Sequence, residues 1–172
     1  DAAGGDNNLD GSSSAPRGGD WLGIRTEGSG AFISSAFTEV RYAIAAHSGA
    51  VTSDETWSAD LVHHVTDDVT ISSGAALTLE PGTVVKLADL RSIVVQSGGS
   101  LLAQGTAGEP VSFTSLYDDA RGGDSNGDGS FTSPSPANGP ALHVDGGEAQ
   151  LGHVELRYGG GSSSGAWDFS AA

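Results

Sequence analysis

Apolar residues in this chain fall in short runs that alternate with polar residues, as in Val69-Thr70-Ile71 and Leu77-Thr78-Leu79. A period of two places alternate side chains on one face of a β-strand. Helical periodicity is nearly absent; only 35–46 admits it, and its Thr-Glu-Val-Arg-Tyr core favours a strand. The pattern predicts short strands at Leu22–Arg25, Ala31–Ile33, Thr38–Tyr42, Val69–Ile71, Leu77–Leu79, Val84–Leu87, Ile93–Val95, Leu101–Leu102, Val111–Thr114, Ala141–Val144, Ala149–Leu151 and Val154–Tyr158.

The predicted strands belong to a repeat of about two dozen residues. Ser73-Gly74-Ala75-Ala76-Leu77 resembles Ser97-Gly98-Gly99-Ser100-Leu101 at an offset of 24, and Pro81-Gly82-Thr83 resembles Gln104-Gly105-Thr106 at an offset of 23. A β-sandwich also has short strands separated by turns, but it does not require similar turn sequences at a fixed spacing. The repeat therefore predicts an all-β fold, a right-handed parallel β-helix with coils of about 24 residues.

A longer repeat lies over the coils. Residues 1–16 and 119–134 are identical at ten of 16 positions, at an offset of 118, and Glu39-Val40-Arg41-Tyr42 matches Glu155-Leu156-Arg157-Tyr158 at an offset of 116. We therefore predict the second half of one module over residues 1–55 and a complete module over 56–172, forming one continuous solenoid. In this division 43–55 is a connector, and Thr56-Trp57 opens the new module.

Composition and charge restrict the possible partners. The 22 acidic residues against seven Lys and Arg give a net charge of −15, which disfavours binding to nucleic acid or to anionic membranes. No apolar run is long enough for a membrane span, so membrane insertion is not expected. The absence of Cys excludes a disulfide framework. An acidic, cysteine-free chain that starts at Asp1 and lacks Met is typical of a processed or excised piece of a secreted, extracellular cell-surface protein.

The chemical signal is an acidic motif, Asp-x-Asn-x-Asp-Gly, that occurs twice. Its residues are Asp6, Asn8, Asp10 and Gly11 in one copy and Asp124, Asn126, Asp128 and Gly129 in the other. Alternating oxygen-bearing side chains in a tight loop converge on one point, and Ca²⁺ takes six to eight oxygen ligands. The motif predicts two calcium loops inserted into the β-helix, although a solvated Asp/Asn/Gly turn without metal is the alternative.

The motif resembles the first half of an EF-hand loop, but it lacks the bidentate Glu at the twelfth position and the flanking helices. Further ligands must therefore come from elsewhere. Asp1 and Asp119 lie five residues upstream of the two motifs, and they complete the predicted metal ligands. Asp20 and Asp118 are additional candidates, each in one copy. Calcium would stabilise the inserted loop by cancelling repulsion among its carboxylates.

Several longer segments carry a family resemblance: TW…VTDDVTISSGAALTLEPGTVVKL, GGSLLAQGTAGEPVSFTS, GGDSNGDGS and VELRYGG, together with GGDWLGI…FTEVRYA in the first half-module. They resemble the parallel β-helix modules of large bacterial and archaeal secreted surface proteins. The resemblance covers nearly the whole chain. It implies the β-helix fold, which serves many functions.

Histidine and tryptophan residues are weaker candidates for chemistry. His63 and His64 are adjacent on a predicted strand, so their rings should point to opposite faces and not converge on a metal. His47 lies in the predicted connector and is expected to be solvated. The tryptophans Trp21, Trp57 and Trp167 are either sugar-stacking platforms or packing residues, and packing is preferred.

Catalysis is the competing class of function. A lyase would use an Arg base near the metal, and Arg121 lies inside the second predicted calcium loop, between Asp119 and Asp124. A glycoside hydrolase needs two carboxylates about 5–9.5 Å apart. The candidates are Asp67, Asp68, Asp118, Asp119 and Glu155. Ice binding would need regular Thr-x-Thr rows, and the chain has only the scattered Thr70, Thr78 and Thr83.

The prediction from sequence is therefore an extracellular, calcium-stabilised structural or adhesive module. It would pack head-to-tail on copies of itself, giving a filament or stalk, or on neighbouring modules of a longer chain. Binding or processing of a polysaccharide is the alternative. An enzymatic activity is not required by any motif.

Overall fold

The fold was obtained as a computed structural model, which describes residues 44–136 and 141–159. This part of the chain is built from short β-strands and contains no helix. In particular, no helix in it is long and apolar enough to cross a membrane. The strands are β1 (Ile44–Val51), β2 (Glu55–Trp57), β3 (Val62–Ile71), β4 (Ala76–Leu79), β5 (Val84–Leu87), β6 (Ser92–Gln96), β7 (Ser100–Gln104), β8 (Val111–Ser115), β9 (Ala141–Asp145), β10 (Glu148–Gly152) and β11 (Val154–Leu156).

Every pairing between these strands is parallel, and each strand pairs with the strand one coil away. The ladders define three faces. The first face holds the front halves of β1 and β3 followed by β5, β8 and β11; the second holds the rear halves of β1 and β3 followed by β6 and β9. The third face is β2, β4, β7 and β10. This arrangement is a parallel β-helix, as the repeat predicted.

The register confirms the 24-residue repeat. Leu77 pairs with Leu101 on the third face, and Val69 pairs with Ile93 on the second. The strand predicted at Val84–Leu87 has those bounds. The one predicted at Val69–Ile71 is longer, because β3 continues back to Val62 across the corner between two faces.

Inward-facing side chains form one continuous apolar core. Val, Leu and Ile dominate it, with Phe113 and Trp57 as its aromatic members. Inward positions lie directly above one another from coil to coil, so Leu77, Leu101 and Ala149 form one stack. Leu77 and Leu101 are fully buried. Burial of this kind is the main favourable contribution to the stability of the coils.

The corner before the third face requires glycine. Gly74, Gly98 and Gly146 occupy equivalent positions in three successive coils, with φ of 82°, 78° and 71°. Side chains rarely adopt this left-handed conformation. The amide of Gly74 donates to the carbonyl of Gly98 at 2.8 Å, so the turns themselves stack. This explains the repeated Ser-Gly turn in the sequence.

One sequence interpretation is wrong. Residues 43–55 were expected to be a connector, but Ile44–Val51 is strand β1 and pairs along its length with β3. The strands predicted at Leu22–Arg25, Ala31–Ile33 and Thr38–Tyr42 lie outside the described residues.

Candidate metal centre

The second acidic motif lies in a long insertion between β8 and β9, and residues 116–132 of it are called the acidic loop here. This loop folds back over the outer side of the first face. At Gly122, a side chain would meet Val62 at 3.0 Å. The carbonyl of Gly123 accepts a hydrogen bond from Lys86 Nζ at 2.6 Å. The first face is therefore covered on both sides.

Asp124 organises the turn of the loop. Its Oδ1 accepts hydrogen bonds from the amides of Gly127 at 2.9 Å and Asp128 at 3.1 Å, and its Oδ2 accepts from the amide of Gly129 at 2.8 Å. Gly127 and Gly129 both have φ of 74°, which a left-handed turn requires. The motif thus fixes a tight turn through one carboxylate, as such residues commonly do.

Asp128 and Asn126 are held on the other side of this turn. Asp128 Oδ2 accepts hydrogen bonds from Asn126 Nδ2 at 2.9 Å and from the amide and hydroxyl of Thr132. Asn126 Nδ2 also donates to the Thr132 hydroxyl. These bonds use the donor end of Asn126 and one oxygen of Asp128, so the remaining oxygen of each side chain is left for another partner.

The carboxylates of Asp119, Asp124 and Asp128 converge. One oxygen from each lies within 4.8 Å of the others, which is close enough for the three to hold a metal ion together. All three residues are half-buried. Three oxygens at this site are buried and accept no hydrogen bond: Asp119 Oδ1, Asn126 Oδ1 and Asp128 Oδ1. A buried oxygen without a donor costs about 1–3 kcal/mol. A donor set of carboxylate and amide oxygens is the kind that suits a hard cation.

The electrostatics of the site reflect this crowding. Burial raises the pKa of Asp119, and the charges of Asp124, Asp128 and Asp118 raise it further. Lys86 is fully buried beneath the loop. Burial lowers its pKa to about 8, although Asp119, Asp118 and Asp124 favour its charged form. The carboxylate cluster of the loop therefore lies above a buried ammonium group of β5.

Two ionic contacts join the base of the loop to β11. Asp118 is buried, and its carboxylate accepts from Thr114 Oγ1 at 2.6 Å and from the amide of Ala120 at 3.1 Å. Arg157 Nε lies 3.4 Å from Asp118 Oδ2. Arg121 Nη2 donates to Glu155 Oε2 at 2.6 Å. These contacts attach the loop to the strand that follows β10.

Comparison with protein families matches residues 49–166 to the family model described as pectate-lyase-like beta helix domain. The chain belongs to the pectate-lyase-like beta helix family. The match spans two thirds of the sequence and contains all strands from β2 to β11. Comparison with curated proteins and with solved structures gives no match. Family membership fixes the fold, and the role of this family member must be argued from its own residues.

The sequence-predicted ligands divide into two groups. The structure brings Asp119, Asp124 and Asp128 together, including the upstream Asp119. Asn126 adjoins them through its bond to Asp128. The ligands predicted in the first copy, which are Asp1, Asp6, Asn8 and Asp10, lie outside the described residues. Whether either loop binds calcium stays a prediction.

Lys86 is the functional residue that sequence reasoning missed. It occupies an outward position of β5, between the buried Val85 and Leu87. It is also the only lysine in the sequence. A single lysine in an otherwise apolar strand was the available signal. Its partner, the carbonyl of Gly123, lies 37 residues away in a loop whose path no local pattern reveals.

The histidines of the first face behave differently from one another. As predicted, the adjacent rings point to opposite sides: His64 Nε2 lies 2.8 Å from Ser125 Oγ in the acidic loop, and His63 faces the core. The expectation that His47 is solvated is wrong. Its ring stacks on Trp57 at 3.8 Å between centroids, and its Nε2 lies 2.9 Å from His63 Nδ1. This occurs because β1 is a strand whose residue 47 faces inward.

Trp57 is a packing residue. Its indole is 3% exposed and belongs to the core, and its Nε1 donates to Glu55 Oε2 at 3.3 Å. It is therefore not a platform for a sugar. Trp21 and Trp167 lie outside the described residues.

Two of the carboxylates considered for catalysis, Asp67 and Asp68, are engaged in structural contacts. Asp67 pairs with Arg91 at 3.0 Å, and Asp68 Oδ1 accepts from the amide and hydroxyl of Ser92. Arg121, considered as a lyase base, donates to Glu155. An ion-paired guanidinium is held in its charged form and is a poor base.

Proposed function

We propose that this chain is a calcium-stabilised structural module of an extracellular surface protein, in which Ca²⁺ fixes the acidic loop against the β-helix. The observation that carries the proposal is the set of three buried, unpartnered oxygens on Asp119, Asn126 and Asp128. A folded chain rarely leaves so many acceptors unsatisfied in one place. Asp119, Asp124, Asn126 and Asp128 would hold the ion, and it would supply only charge neutralisation and cross-linking.

The local charge supports a divalent cation. Four carboxylates surround the site, from Asp118, Asp119, Asp124 and Asp128, and two cationic groups face them, from Lys86 and Arg157. Arg121 is paired with Glu155 and does not change the balance. Two negative charges are therefore uncompensated, which matches one divalent ion. Calcium is preferred over magnesium because Ca²⁺ accepts side-chain oxygens in a variable geometry, whereas Mg²⁺ requires a nearly ideal octahedron.

The same proposal extends to the first acidic motif. Asp1, Asp6, Asn8 and Asp10 repeat the ligand pattern of the second motif. A module that carries one ion per acidic loop would be stabilised at a regular interval along the solenoid. This arrangement suits a stalk or adhesin whose partners are neighbouring modules or copies stacked head-to-tail.

The strand edges support packing against a further coil. Val144, Leu151 and Leu156 continue the inward stacks of the core, yet they are 44%, 40% and 45% exposed. Among the described residues, β9, β10 and β11 each pair on one edge only. Apolar edges of this kind favour association through a parallel strand. Sedimentation velocity with and without calcium tests self-association, and a monomer in both conditions would remove the head-to-tail form.

The first experiment is thermal unfolding with calcium, with magnesium and with a chelator. Calcium at about 100 times its Kd should add about 2.7 kcal/mol to the free energy of unfolding. This corresponds to a rise in Tm of about 10 °C, which magnesium should not reproduce. Asp119→Asn and Asp128→Asn should abolish most of the rise. The exposed Asp60 supplies the matched control, since Asp60→Asn removes one charge far from the motif in sequence.

Lysine labelling gives an independent readout of the loop. Lys86 is the only lysine and is fully buried under residues 116–132, so an amine reagent has one side-chain target. We expect slow modification with calcium and faster modification with chelator, with the terminal amine as internal reference. Equal rates and an unchanged Tm would overturn the calcium proposal and leave an ordinary Asp/Asn turn.

A polysaccharide-processing function is the second candidate. It is favoured by the proximity of Asp119 and Asp128, with the raised pKa of Asp119 fitting a general acid, and by the pectate-lyase-like name of the family. Incubation with polygalacturonate in calcium tests it. New reducing ends or unsaturated products that disappear in Asp119→Asn would support it; an inert substrate would exclude this pectate activity.

A further inference from the structure

The acidic loop contacts four consecutive strands of the first face. Ser125 meets His64 of β3, and Gly123 meets Lys86 of β5. Asp118 accepts from Thr114 of β8. The ion pairs to Glu155 and Arg157 reach the β11 segment. Along its length the loop thus follows the stacking direction and spans four coils, whereas each β-strand pairing joins adjacent coils.

The β11 segment has little other support among the described residues. The strand has three residues and, within residues 44–136 and 141–159, pairs with β8 alone. Its inward Leu156 is 45% exposed. Just beyond the strand, the amide of Arg157 donates to the carbonyl of Phe113 at 3.0 Å. A short edge strand with one exposed side opens readily, so contacts from outside the sheet contribute a large share of its local stability.

We propose that the acidic loop is a strap that transmits cation binding to β11, so that a filled metal site orders the edge on which a further coil packs. This inference rests on the proposed calcium site. The ligands and the attachment points are neighbours in the chain: Asp118 contacts Arg157, and Asp119 belongs to the carboxylate cluster. Fixing the Asp119 side chain therefore also restricts the residue that anchors β11.

The two ionic contacts between the acidic loop and β11 differ in burial, and this difference makes the inference specific. Asp118 is buried and both of its oxygens are engaged within the fold, so its contact with Arg157 is not a mobile surface pair. The Arg121–Glu155 pair is more exposed and would contribute less by itself. Together they supply two guanidinium groups between loop and strand. Removing both should disconnect β11 from the metal site without touching a proposed ligand.

Amide hydrogen exchange followed residue by residue by NMR tests the strap in the full chain. In the wild type, calcium should slow exchange at the amides of residues 155–157 by about tenfold or more relative to chelator. In the double variant Arg121→Gln/Arg157→Gln, the slowing should fall below about threefold, while calorimetry should still show calcium binding at least as tight as in the wild type, because loss of Arg157 removes a positive charge beside the carboxylates. Arg121→Gln alone should show an intermediate effect, and it keeps the buried pair intact.

The matched control is an exposed ion pair elsewhere on the β-helix. Arg91 and Asp67 lie 3.0 Å apart, and Asp67 is at the corner of β3 between the first and second faces. Arg91→Gln should leave the calcium effect on β11 unchanged. Calcium binding with no slowing at β11, or with equal slowing in the double variant, would overturn the strap while leaving the calcium site in place. No heat of calcium binding in the wild type would overturn the calcium site and the strap together.

Discussion

The outer side of the first face and the outer side of the third face are built from the same kind of strand, yet they end in opposite environments. On the first face, outward His64, Lys86 and Thr114 form a row and all are buried. On the third face, outward Thr78 and Leu102 form a corresponding row and are half-buried. The acidic loop makes the difference, since it covers only the first face.

This contrast shows how a β-helix accepts polar residues in a layer that water does not reach. Each member of the buried row has a partner: His64 has Ser125, Lys86 has the Gly123 carbonyl, and Thr114 has Asp118. Buried polar groups are tolerated when they are hydrogen-bonded. The row therefore depends on the loop, and the loop in turn depends on whatever balances its carboxylates. Variants in this row should therefore lower the free energy of unfolding more than matched variants on the third face.

The largest effect is expected from Lys86→Met. This change removes the buried ammonium and leaves Asp118, Asp119 and Asp124 with less compensation. Breaking a buried charge pairing by removing one partner costs about 3–5 kcal/mol. Urea unfolding in chelator should show that loss, and calcium should reduce it because the ion supplies positive charge to the same carboxylates.

The control for this variant lies on the uncovered face. Gln150 is exposed on β10, and Gln150→Met should change the free energy of unfolding by less than about 0.5 kcal/mol. If Lys86→Met were as mild as this control in chelator, the loop would not cover the first face in solution, and the contrast between the faces would disappear.

A smaller effect is expected at Thr114, which tests the same contrast without changing charge. Thr114→Val keeps the shape of the side chain and removes the hydroxyl that donates to Asp118 Oδ2 at 2.6 Å. The unsatisfied buried acceptor should cost about 1–3 kcal/mol. Thr78→Val at an outward position of β4 is the matched change, and it should be within about 0.5 kcal/mol of neutral. Equal losses at both positions would show that the faces do not differ.

Much of the fold could be predicted from sequence because the coil repeat is local and regular. The offset between Leu77 and Leu101 is the observed register, and Gly98 recurs where the backbone must turn. The first face was harder to predict. Its strands are buried on both sides, so β8 has no exposed position and β3 begins with four buried residues. A strand without alternation gives a weak periodic signal.

The candidate site was predictable only in its local part. The spacing of Asp124, Asn126 and Asp128 and the upstream Asp119 were visible in the sequence, because a tight turn brings near neighbours together. Lys86 was not, since it reaches the loop through the fold. His47 was misjudged for a related reason: it was assigned to a connector, but register with β3, which no local pattern shows, turns its ring inward.

The smallest effect per residue on the free energy of unfolding is expected for ionisable groups that are buried away from carboxylates. His63 Nε2 lies 2.9 Å from the carbonyl of Ser58, which only accepts, so this nitrogen carries the proton and His63 Nδ1 accepts from His47 Nε2. Both rings are neutral at pH 7 because their pKa values are lowered. Burial lowers the pKa of His47 to about 3, with His63 and His64 adding to the effect, and burial lowers the pKa of His63 to about 4.

The sign of the pH dependence follows from these values. Below pH 6.5 the unfolded chain binds protons that the folded chain excludes, so stability falls as the pH falls from about 6.5 towards about 4. Burial also lowers the pKa of His64 to about 4, so between pH 7 and pH 5.5 each of the three histidines should contribute a loss of about 1 kcal/mol. Urea unfolding at these two pH values, with saturating calcium, measures it.

Substitution separates this loss from the titration of the carboxylates. His63→Phe keeps an aromatic ring against Trp57 and should remove about a third of the difference between the two pH values. His143→Gln changes an exposed histidine and should leave the difference unaltered. If His63→Phe preserved the full pH dependence, the inner histidines would be titrating as they do in water. The outer side of the first face holds the charged Lys86, which faces carboxylates, whereas the inner side holds the neutral rings of His47 and His63.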